Sequence, residues 1–192
     1  MKKTITYILF GVTILVALAA KPGRSSSGAP ASHTGAPGEK TCAASGCHDD
    51  NPVNKGTASL SLELGNGITK YIVGETYPIK IKISDVNKVR FGFQILAMNS
   101  KTKANVGSFV ITDSIRTQMV NNLHELKERN YVTYTFEGTD AVTEGVGEWN
   151  VNWTAPKNSN ESVTFYVAAV SANDDMHDKG DKVYTKSLTI SK

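Results

Sequence analysis

From Thr57 onward, apolar and polar residues alternate with a period of two, the pattern of strands that bury one face. In "TASLSLEL", Ala58, Leu60, Leu62 and Leu64 share a face, and Gly65-Asn66-Gly67 follows as a turn. "YPIKIKIS" sets Ile79, Ile81 and Ile83 against lysines, as a half-buried strand does. "RFGFQILAM" is more continuously apolar and suits a central strand. "GSFVIT", "YVTYTFE", "EWNVNWT", "SVTFYVAAVS" and "VYTKSLTI" follow, with turn residues between them; Trp149, Val151 and Trp153 share one face. About eight or nine short strands at this spacing predict an all-β fold, an antiparallel immunoglobulin-like β-sandwich over residues 57–192. One region departs from the pattern. Between Ser114 and Arg129, Ile115, Met119, Leu123 and Leu126 recur at three- and four-residue intervals, closer to a helical period.

The first 56 residues have no such pattern. Lys2 and Lys3 precede an apolar run from Ile5 to Ala20, and Ala17-Leu18-Ala19 has the small-x-small form that signal peptidase reads. Residues 1–19 are expected to be a signal peptide and the protein to be exported, periplasmic or at the cell surface. The run is slightly short of the roughly 20 residues of a comfortable span, so an uncleaved N-terminal anchor is the alternative membrane link. Residues 20–40, rich in Gly, Pro, Ser and Ala, are expected to form a linker, because they bury too little apolar area unless they drape over something else. Residues 41–56 hold both cysteines. At the other end, the sequence stops at "LTISK", directly after the last expected strand, and no sorting tag is expected there.

Composition narrows the function classes. Loss of Lys2 and Lys3 would leave 19 basic residues of 21 against 18 acidic, a net charge of +1. Scattered charge at that balance gives no electrostatic footprint for nucleic acid. Two cysteines cannot staple an exported chain of this size, so apolar packing must carry the fold.

The chemistry concentrates in "GAPGEKTCAASGCHDD". Three readings of Cys42, Cys47 and His48 are open. Covalent haem c needs two thiols to add across the vinyl groups and a histidine beside the second; Cys47-His48 supplies that adjacency, although four residues separate the cysteines where two are usual. The intervening Ala-Ala-Ser-Gly is small enough to bulge. A Cys42–Cys47 disulfide is favoured by an oxidising compartment and would contribute roughly 2 kcal/mol by loop entropy. A zinc or copper site would need a fourth ligand from elsewhere.

In order, "TGAPGEKTC" leading to Cys-His, "RFGFQILAM", "YVTYTFEGT", "WNVNWTAP", "VTFYVAAVSAN" and "GDKVY" resemble the Reeler (reelin-type) domain, in particular its bacterial choice-of-anchor V branch, over about residues 34–190. The resemblance implies a secreted β-sandwich, a Cys-x-x-Cys-His segment before the first strand, and no established catalytic activity. Bacterial members often carry a histidine in the strand matching "YVTYTFEGT", where this chain has Tyr134.

With the resemblance added, haem c on Cys42 and Cys47, with His48 as proximal iron ligand, is the leading expectation, for extracytoplasmic electron transfer or redox sensing with a redox or surface protein partner. The alternative is a non-catalytic adhesion module closed by the disulfide. Candidate sixth ligands are His33, His177, Met176 and Tyr134, and also His124; Met98 and Met119 read as core. Other signals are thinner. "NDDMHDKGD" is acidic, but Gly180 is out of register for an EF-hand, so Asp174, Asp175, Asp178 and Asp181 read first as a solvated hairpin loop and only second as an irregular calcium site. "GAPGEKT" is interrupted by Glu39 as a phosphate loop, and His124-Glu125 lacks the second histidine of a zinc protease. No standard enzyme is expected.

Overall fold

A computed structural model describes residues 28–192. The expected signal peptide and the first part of the expected linker lie outside them. Among the described residues, nine strands form two antiparallel sheets. The first sheet joins β1 (Ser59–Leu64), β2 (Thr76–Ser84), β7 (Val146–Thr154) and β4 (Ser108–Val110), in that order. The second joins β5 (Thr117–Asn121), β6 (Asn130–Tyr134), β3 (Arg90–Asn99), β8 (Val163–Ala172) and β9 (Lys182–Ile190). A single 3-10 turn, Glu137–Thr139, precedes β7. No described helix is long and apolar enough to cross a membrane.

The alternating residues do what their period dictates. Leu62, Leu64, Ile79, Ile81, Ile83, Trp149, Val151 and Trp153 point inward from the first sheet. Phe91, Phe93, Ile95, Val163, Phe165 and Val167 meet them from the second. Register makes the fit: β2 pairs Ile79 with Val151 and Ile81 with Trp149, stacking apolar neighbours on one face. The two tryptophans bridge the layers, Trp149 with its ring centroid 4.6 Å from that of Phe93 and Trp153 edge-on to Phe165 at 5.0 Å.

Strands β3 and β8 are buried on both faces, which explains their continuous apolar runs. The outer face of the second sheet carries Gln94, Leu96 and Met98 of β3, and Ala168 and Val170 of β8. The cysteine segment covers Ala168 and Val170, and the segment expected to be a linker covers the residues of β3. Residues 28–40 drape over this sheet as a strap: Ala36 packs on Leu96, Met98 and Tyr131. Gln94 accepts from the His33 amide at 2.8 Å and donates to the Pro30 carbonyl at 2.9 Å. The condition under which such a segment can order, an apolar surface to lie on, is met by the sheet itself.

Glu39 pins the strap. Its side chain is fully buried, with Oε1 accepting from Arg129 Nη1 at 2.6 Å and from the Tyr131 hydroxyl at 2.7 Å, while Oε2 accepts from the Thr34 hydroxyl. Arg129 Nη2 donates to the Pro37 carbonyl at 3.1 Å, so the guanidinium is satisfied on two sides.

The helix-like spacing over Ser114–Arg129 does not produce a helix. Thr117–Asn121 pairs with Asn130–Tyr134 as an edge strand, and Ile115 and Leu123 are 70% and 78% exposed. Pairing with β6 satisfies this backbone, so the three- and four-residue recurrence of apolar side chains marks no buried stripe. Met119, read as core, is exposed at the edge; Met98 is buried.

Candidate functional site

The cysteine segment lies against the outer face of β8 and β9, beside the strap. Consecutive turns shape it: the Ala44 amide donates to the Thr41 carbonyl at 3.0 Å, the Cys47 amide to the Ala44 carbonyl at 2.9 Å, and the His48 amide to the Cys42 carbonyl at 3.2 Å. Gly46, at φ +82°, takes the left-handed conformation that the second turn requires. The four inserted residues thus coil into a bulge and return Cys47 and His48 to the level of Cys42.

Cys42 is buried among Ala168, Val170 and Val183. Its thiol contacts the His33 carbonyl at 3.9 Å, as a weak donor. Burial, reinforced by the neighbouring Cys47, pushes the Cys42 thiol up to about 12. Cys47 is half-buried, and both thiols are free. The Cys42–Cys47 disulfide of the alternative reading is therefore not formed. Nor do Cys42, Cys47 and His48 close up as ligands of one small ion: among the described residues, no three His, Cys, Asp or Glu side chains gather as a metal site.

His48 is the best-positioned group of the segment. Nδ1 of its ring, with the side chain one-third exposed, stands 2.7 Å from Oδ2 of Asp181, whose side chain is 2% exposed. The sequence offers Asp181 as a loop acid or, second, as a calcium ligand; in the fold it is the buried end of the β8–β9 hairpin. Its other oxygen accepts from the Asn173 amide at 3.3 Å, and its carbonyl accepts from Asn51 Nδ2 at 2.9 Å. Asp50 adds a second tie, to Lys179 Nζ at 3.0 Å and to the Gly180 amide at 3.2 Å, and its carboxyl is held below the usual carboxylate range by those two hydrogen bonds. Asn54 completes the seam, its amide donating to the Val183 carbonyl at 2.8 Å.

The remaining candidates divide by place. Tyr134 lies across Gly92, where a β-carbon would stand 2.6 Å from its ring. Burial chiefly, and then the charges that Cys42 and Cys47 can carry, raise its phenol above the usual tyrosine range, so the ring is within electrostatic reach of both sulfurs. His33 reaches the segment through its backbone, while its Nδ1 engages the Pro30 and Ala31 carbonyls at 3.0 and 2.9 Å. His124 is in the turn after β5, lining a shallow cleft with Pro30 and Ala31. Met176 and His177 are exposed at the β8–β9 hairpin tip, Met176 at 89%. Met98 is shut under the strap. The loop acids do not converge on a calcium ion: Asp174 pairs with Arg90 at 3.3 Å, Asp175 accepts from the His177 amide at 2.8 Å, and Asp181 is taken by His48.

A family model described as the Reeler domain matches residues 45–179. The chain belongs to the Reeler domain family. Solved Reeler domains have the same fold. The human F-spondin reeler domain matches with a TM-score of 0.51 at 19% identity, over 74% of this chain and 96% of that one. The Reelin-N domain of F-spondin matches with a TM-score of 0.50 at 18% identity, over 76% and 95% of the two chains. No curated protein matches. At these identities the likeness concerns the sandwich. The family match begins at Ser45, inside the cysteine segment, so the strap and Cys42 lie upstream of it.

Proposed function

We infer that this Reeler domain is an exported electron-transfer or redox-sensing protein of the choice-of-anchor V type. It would carry one haem c bound through Cys42 and Cys47, with His48 as proximal ligand. The observation that carries the reading is the contact of His48 with Asp181. A ring held at Nδ1 by a buried carboxylate leaves Nε2 as the nitrogen for a metal, the arrangement common to histidines that bind metal centres. Two unbonded thiols next to it, brought level by the coiled bulge, supply the attachment chemistry. The bound group would contribute a one-electron iron couple whose potential depends on its axial ligands.

The chain's own residues have separable roles in this reading. Cys42 and Cys47 would be consumed as thioethers, each sulfur forming one bond to a vinyl carbon while its proton goes to the neighbouring carbon. Ala168, Val170 and Val183 keep water from the Cys42 side of the segment. Tyr134, packed across Gly92, would be the candidate sixth ligand in this reading.

Expression of the full chain for export, in a host that matures c-type cytochromes, tests the reading. A red protein is expected, whose absorbance stays with the denatured polypeptide and disappears in Cys42→Ser together with Cys47→Ser. A colourless protein two hydrogens lighter than its reduced form would overturn it and favour a binding module with a Cys42–Cys47 bridge.

A further inference from the structure

We propose that Asp181 is a positioning residue, which holds the neutral His48 ring as the Nδ1–H tautomer and sets the electron-donating strength of Nε2. This rests on the reading of His48 as an iron ligand for its effect on potential, but not for its effect on the ring. A carboxylate oxygen only accepts, so at 2.7 Å the proton of a neutral ring must sit on Nδ1 and the lone pair on Nε2. In water, a free neutral imidazole prefers the opposite tautomer.

Asp181 is itself held. It is 2% exposed, its second oxygen accepts from the Asn173 amide, and its carbonyl accepts from Asn51, three residues beyond His48. The β8–β9 hairpin also grips the segment through Asp50, which binds Lys179 and Gly180. The carboxylate therefore sits immediately before β9, at the base of a hairpin that is joined to the segment it orients. An anion pulling on Nδ1–H makes Nε2 a stronger donor, which favours the oxidised, more positively charged iron and lowers the reduction potential.

Asp181→Asn keeps the shape and replaces an anionic acceptor by a weaker neutral one; Asp181→Glu keeps the charge. Nitrogen-15 NMR of the His48 ring in the haem-free protein, at a pH where the ring is neutral, reads the tautomer directly. The wild type is expected to show Nδ1 protonated and Nε2 bare, D181N to shift toward the tautomer favoured in water, and D181E to recover the wild-type pattern at least in part. In the haem-loaded protein, D181N is expected to raise the reduction potential with thioether attachment unchanged. A wild-type ring protonated on Nε2, or a folded D181N with the same tautomer as wild type, would overturn the assignment. Failure of the chain to take up haem would instead remove the haem reading and leave the tautomer result to decide the role of Asp181.

Discussion

Cys42 shows how burial alone changes the chemistry of a residue. A thiol packed on Ala168, Val170 and Val183 loses the hydration that would stabilise its thiolate, and Cys47 close by adds to the cost of ionisation. The folded chain therefore keeps this proton to about pH 12, whereas the unfolded chain releases it near 9.0. Between those values the native state binds more protons than the unfolded state, so stability falls as pH rises. Unfolding of the haem-free, reduced protein by urea should show a loss approaching about 1.4 kcal/mol per pH unit between pH 9 and 10. The buried phenols of Tyr131 and Tyr134 add to the slope toward the upper end of that window, since tyrosine is half ionised at 10.0 when unfolded, so the thiol dominates only near pH 9. Cys42→Ala should reduce the slope over pH 9–10, most at its lower end; an unchanged slope would mean that the thiol is solvated. The residue's sequence neighbours, Thr41 and Ala43, give no hint of this, because the atoms that desolvate it belong to β8 and β9.

Among the elements, the strap is the one whose order depends most on a few side chains. Residues 28–40 have little apolar surface of their own, and Glu39 joins them to Arg129 and Tyr131 in a site that excludes water. Removing one partner of such a pair leaves a buried charge without compensation, at a cost of about 3–5 kcal/mol. Glu39→Ala is expected to lose stability on that scale in equilibrium unfolding, and to release the amides of residues 33–40 to rapid hydrogen exchange while β2 and β7 stay protected. Uniform protection across the strap in this variant would show that apolar packing of Ala36 suffices. Edge strand β5 makes the opposite point. Apolar residues in and around it recur with a helical spacing, but pairing with β6 decided its backbone, and three of the four recurring side chains, Ile115, Met119 and Leu123, were left in water.

At the scale of the molecule, the described residues form a core between the sheets and an outer core on the second sheet, itself split into a cluster under the strap and one under the cysteine segment. The outer core explains why β3 is apolar on both faces, and it makes the cover part of the domain. A chain lacking residues 28–40 would expose Leu96, Met98 and Tyr131 on a flat sheet face. Such a variant should bind an environment-sensitive apolar dye and self-associate, as seen by light scattering after size exclusion; a monomeric variant that binds no dye would remove the strap from the fold's requirements. The same layering sets the site. The strap and the cysteine segment share the outer face of one sheet, and Asp181, immediately before β9, meets the segment at His48.

What could be read in the chain itself was whatever repeats locally. Period-two alternation and turn residues yield strands in nearly their observed places, and Cys47-His48 marks the candidate segment by adjacency alone. The aspartate that orients His48 lies 133 residues away, in a loop whose acids all look alike on paper. The strap carries no periodicity of its own, since its order comes from the face it covers. Which acid is buried and which thiol is desolvated were decided by strand register and by layer, because only those bring distant side chains into contact.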